Sequence, residues 1–210
     1  MKRSSGFALQ THFIGVLMPP DLSARLDGCR EYMGSRYGCH SGFRTPFHIT
    51  LVPPFCLGEE SDPALVSRAA LEALACCRGQ GILPLVCRVQ GFSSFGERTL
   101  FARVLVRPEE KNGAGRGISC WEALRSAVYD SLESVLSPAG GCPRRDTRPF
   151  VPHITIANRD IPRGAARAAL EYLSGLGLDE ELTINSITVF ERKGGAWAAS
   201  PQLSRDLPQG

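Results

Sequence analysis

Two short stretches hold the residues best suited to chemistry. "FRTPFHITLVPPF" and "TRPFVPHITIANRD" each contain His-Ile-Thr, beginning at His48 and at His153, 105 residues apart in a chain with four histidines and eight threonines. Both copies follow a Pro-Phe pair, Pro46-Phe47 and Pro149-Phe150, and both lie in β-branched runs that read as strands. On a strand, residues i and i+2 share a face. His48 therefore projects with Thr50, and His153 with Thr155, while Ile49 and Ile154 project the other way, into a core. If the two strands face each other, two imidazoles and two hydroxyls converge on one small volume. Such a set suits a phosphate diester. One imidazole takes a proton from an attacking water or hydroxyl and the other gives one to the leaving oxygen. With unperturbed pKa values of about 6.5, two histidines hold these opposite states near neutral pH. Each Thr hydroxyl can donate to a non-bridging phosphate oxygen. This chemistry needs no metal and no cofactor, and no carboxylate-rich segment suggests a Mg²⁺ site. His12 has neither Thr nor Ser two places on, so it reads with His40 as a core or surface residue.

The elements that must position these groups follow from periodicity. "HFIGVLM" (12–18) reads as a buried strand stopped by Pro19-Pro20. Asp21 then caps a helix to about Tyr37, with Leu22, Leu26, Cys29 and Met33 at helical spacing. The first His-Ile-Thr strand is stopped by Pro53-Pro54. "SDPALVSRAALEALACC" reads as a helix with Asp62 as its cap and Pro63 in its first turn. Two strands follow, "ILPLVCRVQGF" and "TLFARVLV", turning at Gly96. A helix over about 118–136 carries Trp121, Leu124, Val128, Leu132 and Val135 on one stripe. After the second His-Ile-Thr come a helix over about 162–173 and a final pair of strands, around "LTINSITVFER" and "AWAAS". Strands and helices thus alternate in two halves, each with one His-Ile-Thr. The pattern predicts two lobes related by a pseudo-twofold, with no linker between them, in one domain over residues 1–210.

Composition narrows the function classes. A chain of 210 residues can bury a real core. A net charge of +3 fits an anionic substrate without demanding a nucleic-acid groove. Eight cysteines contain no C-x-x-C, so a zinc site is not indicated, and most read as small buried residues of a reducing compartment. The glycines of "RPEEKNGAGRG" (107–117) precede no Lys-Ser/Thr, which excludes a P-loop and leaves an exposed loop. "SPAGGCPRRDTRP" reads as a second loop. The start, Met1-Lys2-Arg3 and an apolar run, is broken by Gln10, Thr11 and His12, unlike a signal peptide. No other segment is long enough to span a membrane, so a cytoplasmic monomer is expected.

Two H-x-T motifs about a hundred residues apart, in this layout, resemble the two-histidine (2H) phosphoesterase superfamily. "PHITIANRD" is similar to its bacterial 2′–5′ RNA ligase-like members, and the likeness extends to the opening strand ending in "PP" and to the late "ITVFERKGGAW". The resemblance implies a bilobal α+β fold, with two antiparallel sheets facing a central cleft and helices packed outside. It implies cleavage of 2′,3′-cyclic phosphates or related diesters on RNA ends or nucleotides and, in some members, reversible 2′–5′ joining of RNA ends. Carried over, His48 and His153 form the acid–base pair, with His153 as base and His48 as acid, and Thr50 and Thr155 bind phosphate. Many relatives have an Arg close after the second motif; here Ala157 and Asn158 intervene before Arg159. Arg44 and Arg148, just upstream of the motifs, are further phosphate candidates. Phe47 and Phe150 either stack a base at the cleft mouth or lie buried beneath the strands, and Phe95, on a turn, is a candidate of the same kind. A non-catalytic RNA-end or nucleotide-binding module is the competing class, but binding alone asks for Arg or Lys more than for two acid–base groups.

Overall fold

A computed structural model describes residues 10–58, 61–106, 119–137 and 141–200. The chain runs β1 (His12–Leu17), α1 (Pro20–Tyr37), a 3₁₀ turn (Ser41–Arg44), β2 (His48–Phe55), α2 (Ala64–Gly79), β3 (Leu85–Phe95), β4 (Thr99–Val106), α3 (Cys120–Leu136), β5 (His153–Asn158), α4 (Ala165–Ser174), β6 (Asp179–Ile184), β7 (Thr188–Lys193) and β8 (Ala196–Ala199). The expected α+β architecture is present. The Gly-rich stretch 107–117 and part of the second expected loop, 137–149, lie outside the described residues.

All eight strands form antiparallel pairs in the order β6-β3-β4-β5-β2-β1-β7-β8. In the middle, β2 meets β5 at one residue pair, Ile49 with Ile154. The sheet is thus two four-stranded halves joined at the centre of the two repeated tripeptides. The halves correspond, with β1-α1-β2 matching β4-α3-β5. Their helices cross over: α1 packs on β5 and beside α4, whereas α3 packs on β2 and beside α2. Each half is covered by a helix from the other unit, which ties the two together.

Local sequence explains most of the elements. Leu22, Leu26, Cys29 and Met33 are the buried stripe of α1. The helix ends where Gly38 takes a left-handed φ of 69° and donates to Gly34 O, with Cys39 N reaching Met33 O. It begins two residues earlier than expected, at Pro20, with Pro19 rather than Asp21 in the cap position and no side-chain cap. Asp62 does accept from Ala64 N at the start of α2. In α3, Ser119 and Glu122 form a reciprocal capping box.

Two expectations are corrected. Pro53-Pro54 does not stop β2, which runs on to Phe55. Beyond the Ile49–Ile154 pair, β2 is bonded on one side only, to β1, and its register there is shifted. An edge with a bulge tolerates residues that lack an N–H. The segment "LTINSITVFER" is not one strand. It breaks after Ile184, and the two pieces go to opposite halves, β6 onto β3 and β7 onto β1. Among the described residues no disulfide is formed, and Cys29, Cys39, Cys77 and Cys87 are buried. Half of the eight cysteines, rather than most, are therefore interior. No described helix is long and apolar enough to cross a membrane.

Gly15 faces Thr50 across the β1–β2 ladder, and a Cβ there would fall 2.5 Å from Ile49 O. Gly15→Ala is expected to push β2 away from β1 and to cost about 1–3 kcal/mol. Gly28, within α1 and with open space around it, provides the contrast. Gly28→Ala is expected to stabilise by roughly 0.5–1 kcal/mol through helix propensity. Urea unfolding of both variants checks the pair, and a Gly15→Ala protein as stable as the parent contradicts the packing described.

Candidate active site

The register at the centre of the sheet places the four motif side chains. Ile49 and Ile154 are fully buried, each contributing about 1.5–3 kcal/mol that a one-residue slip would forfeit by turning them to solvent. Their antiparallel pairing, extended one residue each way, sets His48 beside Thr155 and His153 beside Thr50. All four lie on the face opposite the isoleucines, half-buried. The strands are therefore neighbours in one sheet, not partners across a gap as the sequence suggested.

Both imidazoles are held in the same way. His48 Nδ1 lies 2.8 Å from Pro46 O and His153 Nδ1 2.7 Å from Val151 O, each two residues upstream. A carbonyl only accepts, so Nδ1 carries the proton and Nε2 is left for exchange. Nε2 of His48 accepts from Thr50 Oγ1 at 3.1 Å. Aromatic rings seat both. His48 packs on Phe13 of β1 and Phe190 of β7, with centroids 4.7 and 5.2 Å away. His153 packs on Phe101 of β4 and Phe95 of β3, at 5.1 and 5.0 Å. These are corresponding strands of the two halves. The seats differ in depth: Phe13 and Phe190 are buried, whereas Phe95 is 43% exposed.

That apolar seating moves both titrations. Burial pushes the His48 imidazole down to about 4, against the Pro46 carbonyl and helped by the charges of Arg30 and His153. Burial also lowers His153, against its bond to Val151. The two rings do not straddle neutrality at their unperturbed values, as expected from sequence, but are both neutral there.

His48 lines a cleft of about 520 Å³ together with Thr50, Thr155, Asn158, Arg159, Ser41, Gly42, Arg30, Arg192 and Trp197, and His153 lies next to it, beside Thr50 in the register. No carboxylate lines it. Arg159 sits in the left-handed region, φ 71°, with its amide donating to Arg98 O at 2.7 Å. This strained turn at the end of β5 leaves its side chain on the cleft wall although three residues separate it from the motif. The roof is stapled by Asp160, which accepts from His40 N and Ser41 N at 2.7 Å, and from Ser41 Oγ at 2.9 Å. Although burial opposes ionisation, those bonds hold its carboxyl below the usual range. Among the described residues no three His, Cys, Asp or Glu gather as metal ligands.

Other expected residues lie elsewhere. Arg44 ends the 3₁₀ turn, exposed and outside the cleft lining. Arg148 forks onto Asp146, Nε at 3.0 Å and a terminal nitrogen at 2.7 Å, beside a separate hollow under α3. Phe47 is 3% exposed and covered by Arg30, so it cannot stack a base, and Phe150 packs against Trp121 and the core. Phe47 is thus buried and Phe150 half-buried. His12 is buried against Thr11 Oγ1, away from the cleft. Sequence reasoning missed Arg30, Ser41, Asn158, Arg192 and Trp197. Of these, Asn158, in "PHITIANRD", and Arg192 and Trp197, in "ITVFERKGGAW", lay within stretches already marked by resemblance.

The sequence model of the 2′-5′ RNA ligase superfamily matches residues 18–196. The chain belongs to that superfamily. Solved structures of similar fold include TT0787 of Thermus thermophilus, 17% identical with a TM-score of 0.56, covering 90% of this chain and 93% of that one. E. coli LigT in complex with 3′-AMP is 15% identical with a TM-score of 0.51, covering 93% and 99%. No curated protein matches. In this member of the 2′-5′ RNA ligase superfamily both H-x-T motifs are thus intact and adjacent in space.

Neutral, buried histidines leave a stability signature. The folded His48 titrates near 4 and the unfolded one at about 6.5. The unfolded chain then binds more protons in that window, so stability present above 6.5 is lost as pH falls through 4. His153 and His12, both lowered mainly by burial, act with the same sign. His48→Gln is expected to lose less stability than the parent between pH 7.5 and 4.5 in chemical denaturation. Parallel curves for the two proteins would show that His48 is not buried neutral.

Proposed function

We propose that this chain is a metal-independent phosphoesterase that opens 2′,3′-cyclic phosphates on RNA ends or nucleotides. The observation that carries this is the pair of imidazoles, each locked by Nδ1 to a carbonyl so that Nε2 is left for proton exchange, on the sheet face shared with the motif threonines. In hydrolysis, one Nε2 accepts a proton from water as its oxygen bonds to phosphorus. The bond from phosphorus to one ribose oxygen breaks, and that oxygen takes a proton from the other Nε2. The product is a ribose monophosphate with a free neighbouring hydroxyl. Thr50, Thr155 and Arg159 donate to the non-bridging oxygens. The deeper His48, close to the charge of Arg30, is the ring that stays deprotonated and so takes the base role, and His153, beside exposed Phe95, is the acid. This reverses the assignment suggested by resemblance. An anion bound between them raises both pKa values and so helps charge the acid. The structure of the similarly folded E. coli LigT with 3′-AMP fits a nucleoside monophosphate as product. The superfamily description supports a second direction, in which a ribose 5′-hydroxyl replaces water and a 2′–5′ diester forms.

Incubation with 2′,3′-cyclic nucleotides and cyclic-ended RNA, followed by product identification, separates hydrolysis from joining. Turnover is expected to survive EDTA. Loss on chelation, with rescue by a divalent ion, would overturn the metal-free mechanism. His48→Ala and His153→Ala should each nearly abolish turnover, with the double variant scarcely worse. Thr50→Ala and Thr155→Ala should lose about 2–4 kcal/mol of transition-state stabilisation. Wild-type kcat/KM in any of the four would remove that residue from the mechanism.

The pH profile is a separate test. The base is neutral above about 4, and the acid, lowered by burial, loses its proton below 6.5 in the free protein. The bell in kcat/KM should therefore peak on the acid side of 6.5, and the bell in kcat should lie higher because the bound anion raises both groups. A kcat/KM maximum above pH 7.5 would contradict the roles given to these rings.

A further inference from the structure

We propose that Arg30 is the principal anion seat of the cleft, its guanidinium taking the non-bridging oxygens of the substrate phosphate. The identity of that anion as a phosphate ester rests on the phosphoesterase reading. The seat itself rests on geometry. Arg30 is carried on α1 and is only 7% exposed, yet it lines the cleft beside His48, Thr50 and Thr155. Its Cζ stands 3.3 Å from the centroid of the Phe47 ring. Such a contact uses the face of the guanidinium and leaves its in-plane N–H donors to find other partners. None is provided. Nε is buried without a hydrogen bond, and the described residues offer the group no ion pair. Asp27, one turn back on the same helix, is exposed and acts on it only through space. Gly42 closes over it: a Cβ at that position would lie 3.4 Å from Nε and 2.6 Å from Ile156 O. Burial brings the guanidinium down to about 10, which still leaves it charged at neutral pH. An unpaired buried charge is costly, and an anion in the cleft is the partner that relieves it.

The chain contains its own comparison. Arg125, on α3 of the matching unit, also lies over the phenylalanine ahead of its motif, 5.0 Å from the centre of Phe150. Each of its three guanidinium nitrogens has a partner inside the fold: Nε on Leu51 O at 3.2 Å, one terminal nitrogen on Arg148 O at 3.4 Å, and the other paired with Asp146 at 3.5 Å. One arginine of the repeat is neutralised by the chain. The other is left facing the place where a diester must sit, and its planar fork matches two phosphate oxygens.

The test uses the full chain and inorganic phosphate as probe, with chloride at matched ionic strength as control. Phosphate is expected to raise the melting temperature of the wild type, and Arg30→Met is expected to abolish that rise while melting no lower than wild type without phosphate. Arg125→Met should melt lower but keep the phosphate response. On a cyclic nucleotide, Arg30→Met should lose about 10²–10³-fold in kcat/KM. Arg30→Lys, which keeps the charge without the fork, should bind phosphate as an inhibitor more weakly than wild type. If Arg30→Met does not fold, that inhibition constant in Arg30→Lys decides, and an unchanged value overturns the proposal. A wild type indifferent to phosphate, or an Arg30→Met protein with the full phosphate response, also overturns it. If wild type shows an Arg30-dependent response to phosphate but no turnover, the anion seat stands and the hydrolase reading fails. If turnover is present and equal in wild type and Arg30→Met, the seat fails and the hydrolase reading stands.

Discussion

Everything in this molecule turns on the backbone pairing of Ile49 with Ile154. Among the described residues it is the single ladder pair between the two halves of the sheet, and both side chains are fully buried beneath it. Burial of two large aliphatic groups fixes the register, because a slip by one residue would exchange them for histidines in an apolar core. The same register brings His48, Thr50, His153 and Thr155 onto the opposite face. Packing thus decides which side chains share the open face, before any hydrogen bond of the site is considered.

The crossing of α1 and α3 supports that pairing. Each helix covers the half that its own β-α-β unit does not end in. The centre is therefore held by helices on the buried face as well as by one residue pair, which leaves the other face open. The near-symmetry reaches the side chains, since each imidazole is tied to a carbonyl two residues back and seated on two rings from corresponding strands.

Function requires that this symmetry be broken, and the breaks are local. His48 lies between two buried rings, and His153 beside an exposed one. Only His48 feels the charge of a nearby arginine among the causes that lower it. Arg159 turns inward through a left-handed residue after β5, whereas β2 continues into Pro53-Pro54. Two rings of the same type are thereby given unequal basicity by surroundings that differ in depth and charge.

The sequence by itself determined the elements and the four central residues. Period-two and helical patterns reach across a few residues, and they located α1 to α4 and most strands, with errors at Pro53-Pro54 and in "LTINSITVFER". The repeated His-Ile-Thr carried its own geometry, because i and i+2 share a face wherever the strand goes. What the chain's order could not contain was which elements become neighbours. Only tertiary structure decided that β2 and β5 lie side by side, that β6 and β7 part to opposite halves, and that Arg30 on a distant helix enters the cleft while Arg148, close to the motif in sequence, turns to Asp146. Burial and charge neutralisation are properties of that assembled surround, so the depressed imidazoles and the unpaired guanidinium exist only once the core has closed.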